Sequence, residues 1–78
     1  MIRMDALRAL VAVAAHGNIK DAADQLHRTT SALSMTLKQI ETRLGGPLFE
    51  ADRKQTLTEL GKLVHDTGVI LLRDYDRA

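Results

Sequence analysis

The chain has 78 residues and a mass of 8.6 kDa, with no cysteine, no tryptophan and a single proline. A chain of this size forms one domain, and the lack of cysteine excludes disulfide bonds and thiolate metal sites. Such a domain buries only about 60% of the surface that its unfolded chain exposes. We therefore expect its stability to depend on good helix packing or on a partner chain.

Charge is nearly balanced, with eleven Lys and Arg residues against ten Asp and Glu. The small positive excess lies in residues 27–54, which hold five basic and three acidic residues, whereas residues 55–78 hold three and four. No apolar run reaches 18 residues and no leader pattern opens the chain, so no membrane span is predicted and the cytoplasm is the expected location.

Two short helices are predicted in the first third of the chain. Apolar residues recur at helical spacing from Met4 to His16, and Gly17 follows them as a typical helix end. Asn18 can cap a second helix from Ile19 to Leu26, whose small side chains allow a neighbouring helix to approach closely.

A third helix is predicted to begin after a cap at Thr29 or Thr30 and to run to about Leu44, since its apolar residues are spaced by four, three and four. Gly45-Gly46-Pro47 ends it, because proline cannot continue a helix. The polar residues His27-Arg28-Thr29 form the kind of short connection found in helix-turn-helix units.

The last third predicts two short strands, Leu48–Ala51 and Gln55–Leu57, joined by a polar turn at residues 52–54. Thr58 then caps a long final helix that runs to the end of the chain. The predicted fold is mainly α: a winged helix-turn-helix of three helices and a β-hairpin wing over residues 1–57, followed by a linker helix over residues 58–78.

In a helix-turn-helix, the third helix enters the DNA major groove with its N-terminal residues. The apolar stripe of this helix is expected to face the core, which leaves Thr30, Ser31, Ser34, Met35 and Lys38 outward. Hydroxyl groups can bond to phosphates or base edges, and a methionine can contact a thymine methyl group.

Five ordered blocks of the sequence resemble the N-terminal DNA-binding domain of LysR-type transcriptional regulators. The blocks are Ala22-Ala23-Asp24-Gln25-Leu26-His27, Ser31-Ala32-Leu33-Ser34, Ile40-Glu41-Thr42-Arg43-Leu44-Gly45, Pro47-Leu48-Phe49-Glu50 and Leu57-Thr58-Glu59-Leu60-Gly61. The resemblance covers about residues 4–62, and residues 62–78 match the start of the family's linker helix in position and character. It implies double-stranded DNA as the partner, a homodimer, and an effector-binding domain that lies outside this chain.

The sequence departs from the family pattern at four places. Thr30-Ser31 replaces the usual Gln-Pro, Met35 and Ala51 stand where arginines are common, and the wing is one residue shorter. Neither Met nor Ala can replace an arginine that binds phosphate or guanine, so we expect other basic residues to supply the phosphate contacts. With two fewer such contacts, the affinity should depend less steeply on salt than in relatives that carry both arginines. The complete set expected to contact DNA is Asn18, Lys20, Arg28, Thr29, Thr30, Ser31, Ser34, Met35, Lys38, Arg53 and Lys54.

The final helix carries more apolar residues than the core of one small domain can absorb. It could fold back on its own domain, or it could pair with the same helix of a second chain, where Gly68 would allow a close approach. The dimer is preferred, with an interface formed by Leu60, Leu63, Val64, Leu71 and Tyr75.

Other functions find less support in the sequence. The three histidines match no zinc pattern and no phosphate-binding or nucleophile motif is present, so neither a metal, a cofactor nor an enzymatic activity is expected. The alternative is a winged-helix module that binds protein through its last helix and does not bind DNA.

Overall fold

The computed structural model describes residues 2–53 and 56–77, and these residues contain four helices. The helices are α1 (Met4–His16), α2 (Ile19–Gln25), α3 (Thr30–Leu44) and α4 (Glu59–Arg77). This mainly helical fold confirms the predicted class. Across the described ranges, no helix has both the length and the apolar character needed to cross a bilayer.

Side-chain caps fix where α2, α3 and α4 begin. The Asn18 Oδ1 accepts a hydrogen bond from the Asp21 amide at 2.8 Å, and the Thr29 Oγ1 accepts one from the Ala32 amide at 3.0 Å. Thr58 caps α4 in the same way, accepting from the Gly61 amide at 2.9 Å. Each cap satisfies a backbone N–H that has no partner within the helix. Thr29, and not Thr30, is therefore the cap of α3.

The turn between α2 and α3 depends on one residue in a left-handed conformation. His27 has a φ of 55°, and Arg28 donates its amide to the Ala23 carbonyl at 2.9 Å. Helix α2 ends at Gln25, one residue before the predicted end, because Leu26 already has the non-helical geometry of a C-cap. This sharp turn sets the direction in which α3 leaves α2.

The prediction of two regular strands is wrong for the residues that the structure describes. Phe49 and Leu57 form a single antiparallel bridge, flanked by hydrogen bonds from Glu50 N to Thr56 O at 2.8 Å and from Thr58 N to Leu48 O at 2.9 Å. Gln55, in the second predicted strand, and Lys54, in the turn, lie outside the described residues. An isolated two-stranded hairpin is marginal in water.

Residues 48–58, which we call the hairpin segment, are held at their base by tertiary contacts and not by a ladder of strand hydrogen bonds. Leu48 is completely buried, and its amide donates to the Glu41 Oε2 at 2.9 Å. Glu41 belongs to α3, so the same helix that carries the exposed hydroxyls also anchors the hairpin segment.

The core consists of two neighbouring clusters. The first joins α1, α2 and α3 through mostly small side chains, which allow the helices to pack closely around one leucine: Ala9, Ala12, Val13, Ala22, Ala23 and Leu33. The second joins α1 and α3 to the segment after α3 through Ala6, Leu10, Ile40 and Leu48. Leu44, the last residue of α3, is 40% exposed although it is apolar, because it lies at the end of the helix.

Helix α4 packs along α1 of its own chain. Gly68 and Leu72 are buried, and an added Cβ at Gly68 would lie 3.3 Å from the Leu7 Cδ2. Gly68 therefore serves an intrachain contact and not the predicted approach of a partner. Further along α4, Asp76 forms an ion pair with Arg8, whose Cζ also lies 6.0 Å from the centre of the Tyr75 ring.

Candidate nucleic-acid interface

The N-terminal half of α3 presents a polar face to solvent. Ser31, Ser34, Met35 and Lys38 are exposed, and Met35 is 65% exposed although it is a large apolar residue. Their spacing of three, four and seven residues places them on one side of the helix. Thr30 is also exposed, so every α3 residue predicted to point outward does so.

Two of the predicted contact residues, Asn18 and Thr29, also cap helices with their side chains. The Asn18 side chain accepts from the Asp21 amide and donates to the Asp21 Oδ2 at 2.9 Å. The Thr29 hydroxyl accepts from the Ala32 amide. Asn18 therefore fixes the start of α2, and Thr29 fixes the start of α3 itself.

Arg28 is held in place by a residue that sequence reasoning missed. Its Nη2 donates to the Thr36 Oγ1 at 3.0 Å, and Thr36 in turn donates to the Ala32 carbonyl at 3.0 Å. Thr36 is buried, and among the described residues it is the one polar side chain in the buried core. Only the folded turn brings Arg28 against α3, so no local sequence signal could have identified this pair.

The remaining basic candidates are exposed. Lys20 lies in the first turn of α2, and Arg53 lies at the beginning of the hairpin turn, where its carbonyl accepts from the Thr56 amide at 3.0 Å. Lys54 was also predicted to contact DNA and lies outside the described residues. Arg53 and Lys20 are therefore on different elements, one in the hairpin segment and one on α2.

Several positive charges have no carboxylate partner within residues 2–53 and 56–77. The ion pairs in these ranges join Arg3 to Asp5, Arg8 to Asp76, Lys62 to Glu59 and His65 to Asp66. Five basic residues between the start of α2 and the hairpin turn have no carboxylate partner in these ranges: Lys20, Arg28, Lys38, Arg43 and Arg53. Positive charge without an internal counter-charge can neutralise phosphates of a nucleic acid.

The histidines make short local contacts. The His16 Nε2 lies 2.6 Å from the Gln25 Oε1, and the His65 Nδ1 lies 3.0 Å from the Asp66 Oδ1. In the described part of the chain, no three His, Asp or Glu residues are grouped so that they could hold a metal ion.

The predicted dimer residues of α4 fall into two groups. Leu63 is 66% exposed, and Leu71 and Tyr75 are also exposed. Ile70, which was not in the predicted set, is exposed beside them. Leu60 and Val64 pack against the core cluster of the same chain, so only part of their surface is available to a partner.

Comparison with known proteins identifies the family. Residues 4–62 match the model of the bacterial regulatory helix-turn-helix proteins of the lysR family. The HTH-type transcriptional regulator CfxR of Cupriavidus necator is 45% identical over 67 residues, which are 83% of this chain and 21% of that protein. A probable RuBisCO transcriptional regulator of Gracilaria tenuistipitata var. liui is 42% identical over 62 residues, 78% of this chain and 20% of its own.

A solved structure agrees with this assignment. The crystal structure of a BenM DBD/catB site 1 DNA complex superposes with a TM-score of 0.88 at 29% identity, covering 96% of this chain and 84% of that one. The chain spans about one fifth of the length of the curated relatives it matches. It belongs to the lysR family of bacterial regulatory helix-turn-helix proteins.

Proposed function

We propose that this chain is the DNA-binding domain of a transcriptional regulator and that it binds double-stranded DNA sequence-specifically. The observation that carries the proposal is the exposed polar face of α3, formed by Ser31, Ser34, Met35 and Lys38. The matched lysR model and the similarity to a domain solved with DNA support it.

In this arrangement the N-terminal half of α3 enters the major groove. Ser31 and Ser34 have short side chains that reach phosphates or base edges, and Met35 can pack on a thymine methyl group. Lys20, Arg28, Lys38 and Arg53 contact the phosphates on either side, with Lys54 expected beside Arg53. Asn18 and Thr29 orient the helix starts, where free backbone N–H groups favour an anion.

We also propose that two copies pair through α4. Leu63, Ile70 and Leu71 leave an apolar stripe in solvent, and a two-fold pairing of this helix would bury it on both chains. Sedimentation equilibrium at micromolar concentration should show a mass above 8.6 kDa. A mass of one chain only would contradict the pairing.

We also propose that the chain works in the cytoplasm, where a bacterial regulator meets its DNA. An effector-binding domain is expected elsewhere in the regulator, and no cofactor or catalytic role is assigned to these residues.

The experiment that tests the function is fluorescence anisotropy of a labelled duplex of mixed sequence at increasing salt. We expect the affinity to fall steeply with salt, because each neutralised phosphate contributes about −0.9 to the slope of log K against log salt on B-DNA. Arg53→Ala should make this slope shallower, because one phosphate contact is lost. Absence of salt-sensitive binding by the unmodified chain would favour the alternative of a protein-interaction module.

A further inference from the structure

A basic groove runs beside the exposed face of α3, between that helix and the beginning of α1. Its volume is about 710 Å³. Three cations on its walls come from α3 and the preceding turn, namely Arg28, Lys38 and Arg43, and Arg3 closes it at the start of α1. Asp5 is the one acidic residue among the described groove residues.

The groove has a net positive charge that the protein leaves without internal compensation. Arg3 pairs with Asp5 at 3.3 Å, but no carboxylate of the described chain pairs with Arg28, Lys38 or Arg43. The Arg3 and Asp5 side chains are 84% and 58% exposed, so water screens this pair strongly. Arg3 can therefore exchange its partner for a phosphate.

Arg28 is preorganised toward this groove. One of its five N–H donors is given to Thr36, which fixes the guanidinium beside α3 and leaves the others for a ligand. An arginine already held in place loses less conformational freedom on binding than a free one. Because one of the four groove cations is already fixed, the groove should bind an extended anion with a smaller loss of conformational entropy than four freely rotating surface cations.

The groove is continuous with the proposed DNA-binding face. Met35 and Lys38 belong to that face and also line the groove. From Met35 to Arg43, α3 rises about 12 Å at 1.5 Å per residue. This length allows the groove to reach more than one phosphate of a strand.

We propose that this groove binds the sugar-phosphate backbone of one DNA strand, with Arg3 and Arg43 as phosphate contacts additional to those on α3, the turn and the hairpin. The inference rests on the proposed function and extends the DNA contact from the beginning of α3 toward its C-terminal half and the beginning of α1. It also supplies positive charge that the chain lacks at Met35 and Ala51.

The test compares the 78-residue chain with the double variant Arg3→Gln/Arg43→Gln in anisotropy titrations against salt. Loss of two phosphate contacts should reduce the slope of log K against log salt by about 1.8, and each single variant should account for about half of this. Arg43→Lys should retain the slope of the unmodified chain, because the charge remains. Arg73→Gln removes one positive charge, as each single variant does, at an exposed α4 position outside the groove; it is the matched control for the single variants and should leave the slope unchanged.

The outcomes separate this inference from the function on which it rests. If the unmodified chain binds duplex with a steep salt dependence and the double variant keeps the same slope, the groove does not contact DNA, although the function stands. If the unmodified chain shows no salt-sensitive binding, both fail. Ethylation interference adds a direct measure: the double variant should lose sensitivity at phosphates that still affect the Arg73→Gln chain.

Discussion

At the scale of single residues, one position in α4 accepts only glycine, because a neighbouring backbone atom occupies the space that a side chain would need. Gly61 is buried at the start of α4, and a Cβ added there would clash with the Leu48 carbonyl oxygen and lie 3.0 Å from the Leu57 Cδ2. The carbonyl belongs to the backbone and cannot rotate away as a side chain would. Gly61 therefore sets how closely α4 approaches the segment that follows α3.

We expect Gly61→Ala to lower the free energy of unfolding by about 2 kcal/mol or more, since forcing atoms into a packed core costs about 1–3 kcal/mol. For a domain of this size, the melting temperature should fall by roughly 10 °C. Thermal unfolding followed by circular dichroism measures it.

Gly68→Ala is the matched control for this change. It also adds one methyl group to a buried glycine of α4, but the nearest atom is the Leu7 Cδ2, at the end of a side chain and 3.3 Å away, and not a backbone atom. Alanine is favoured over glycine inside a helix by about 1 kcal/mol, which offsets the tighter contact. An equal loss of stability in both variants would show that the Leu48 carbonyl is not the cause.

The residue scale also shows where sequence reasoning ends. The outward positions of Ser31, Ser34 and Met35 could be predicted, because helical spacing fixes them relative to the apolar stripe. The hydrogen bond from Arg28 to the buried Thr36 could not. It depends on the left-handed turn at His27, which no glycine or asparagine announces in the sequence.

At the scale of elements, the helices were predictable because their limits are local. The caps at Asn18 and Thr29 and the left-handed Gly45, with a φ of 77°, act within a few residues of the helix ends. The strands depended on tertiary structure instead. Leu48 is drawn into the core and its amide is bound by Glu41, so a pattern that looked like a strand forms only one bridge in the described residues.

The packing of α4 on α1 can be followed through the pKa of one side chain, the Asp76 carboxyl, which pairs with Arg8. The hydrogen bond from Arg8 and its positive charge lower the pKa of the Asp76 carboxyl below its ordinary value, against a smaller opposing effect of desolvation. Because the carboxyl has a lower pKa in the folded chain than in the unfolded one, the ion pair stabilises the fold above about pH 4, the ordinary range of an aspartate. This contribution is lost as the pH falls through the pKa of the folded state.

We expect Arg8→Gln to raise the pKa of Asp76 toward the ordinary aspartate value of about 3.9, as measured by NMR titration of the side-chain carboxyl carbon. The same substitution removes the cation near the Tyr75 ring. An unchanged Asp76 pKa in the variant would mean that the two side chains are not paired in solution, and that α4 is not fastened to α1 at this end.

At the scale of the whole molecule, the groove cations and the exposed apolar stripe lie on different elements. Arg28, Lys38 and Arg43, on α3 and the turn before it, have no carboxylate partner among the described residues, whereas Leu63, Ile70 and Leu71 lie exposed on α4. This division suits a module that contacts DNA with one side and a second copy with another. A dimer would place two α3 helices on the same side of a duplex, one helical turn of about 10 base pairs apart or a multiple of it.

Selection of binding sites from random duplex tests this account most directly. We predict that the 78-residue chain enriches two inverted half-sites at such a spacing. Ser31→Ala should change the preferred bases, and Arg53→Ala should weaken binding to all sequences without changing the preference. Enrichment of no sequence, or an equal weakening by both variants with the preference unchanged, would contradict the claim that α3 reads bases in the major groove.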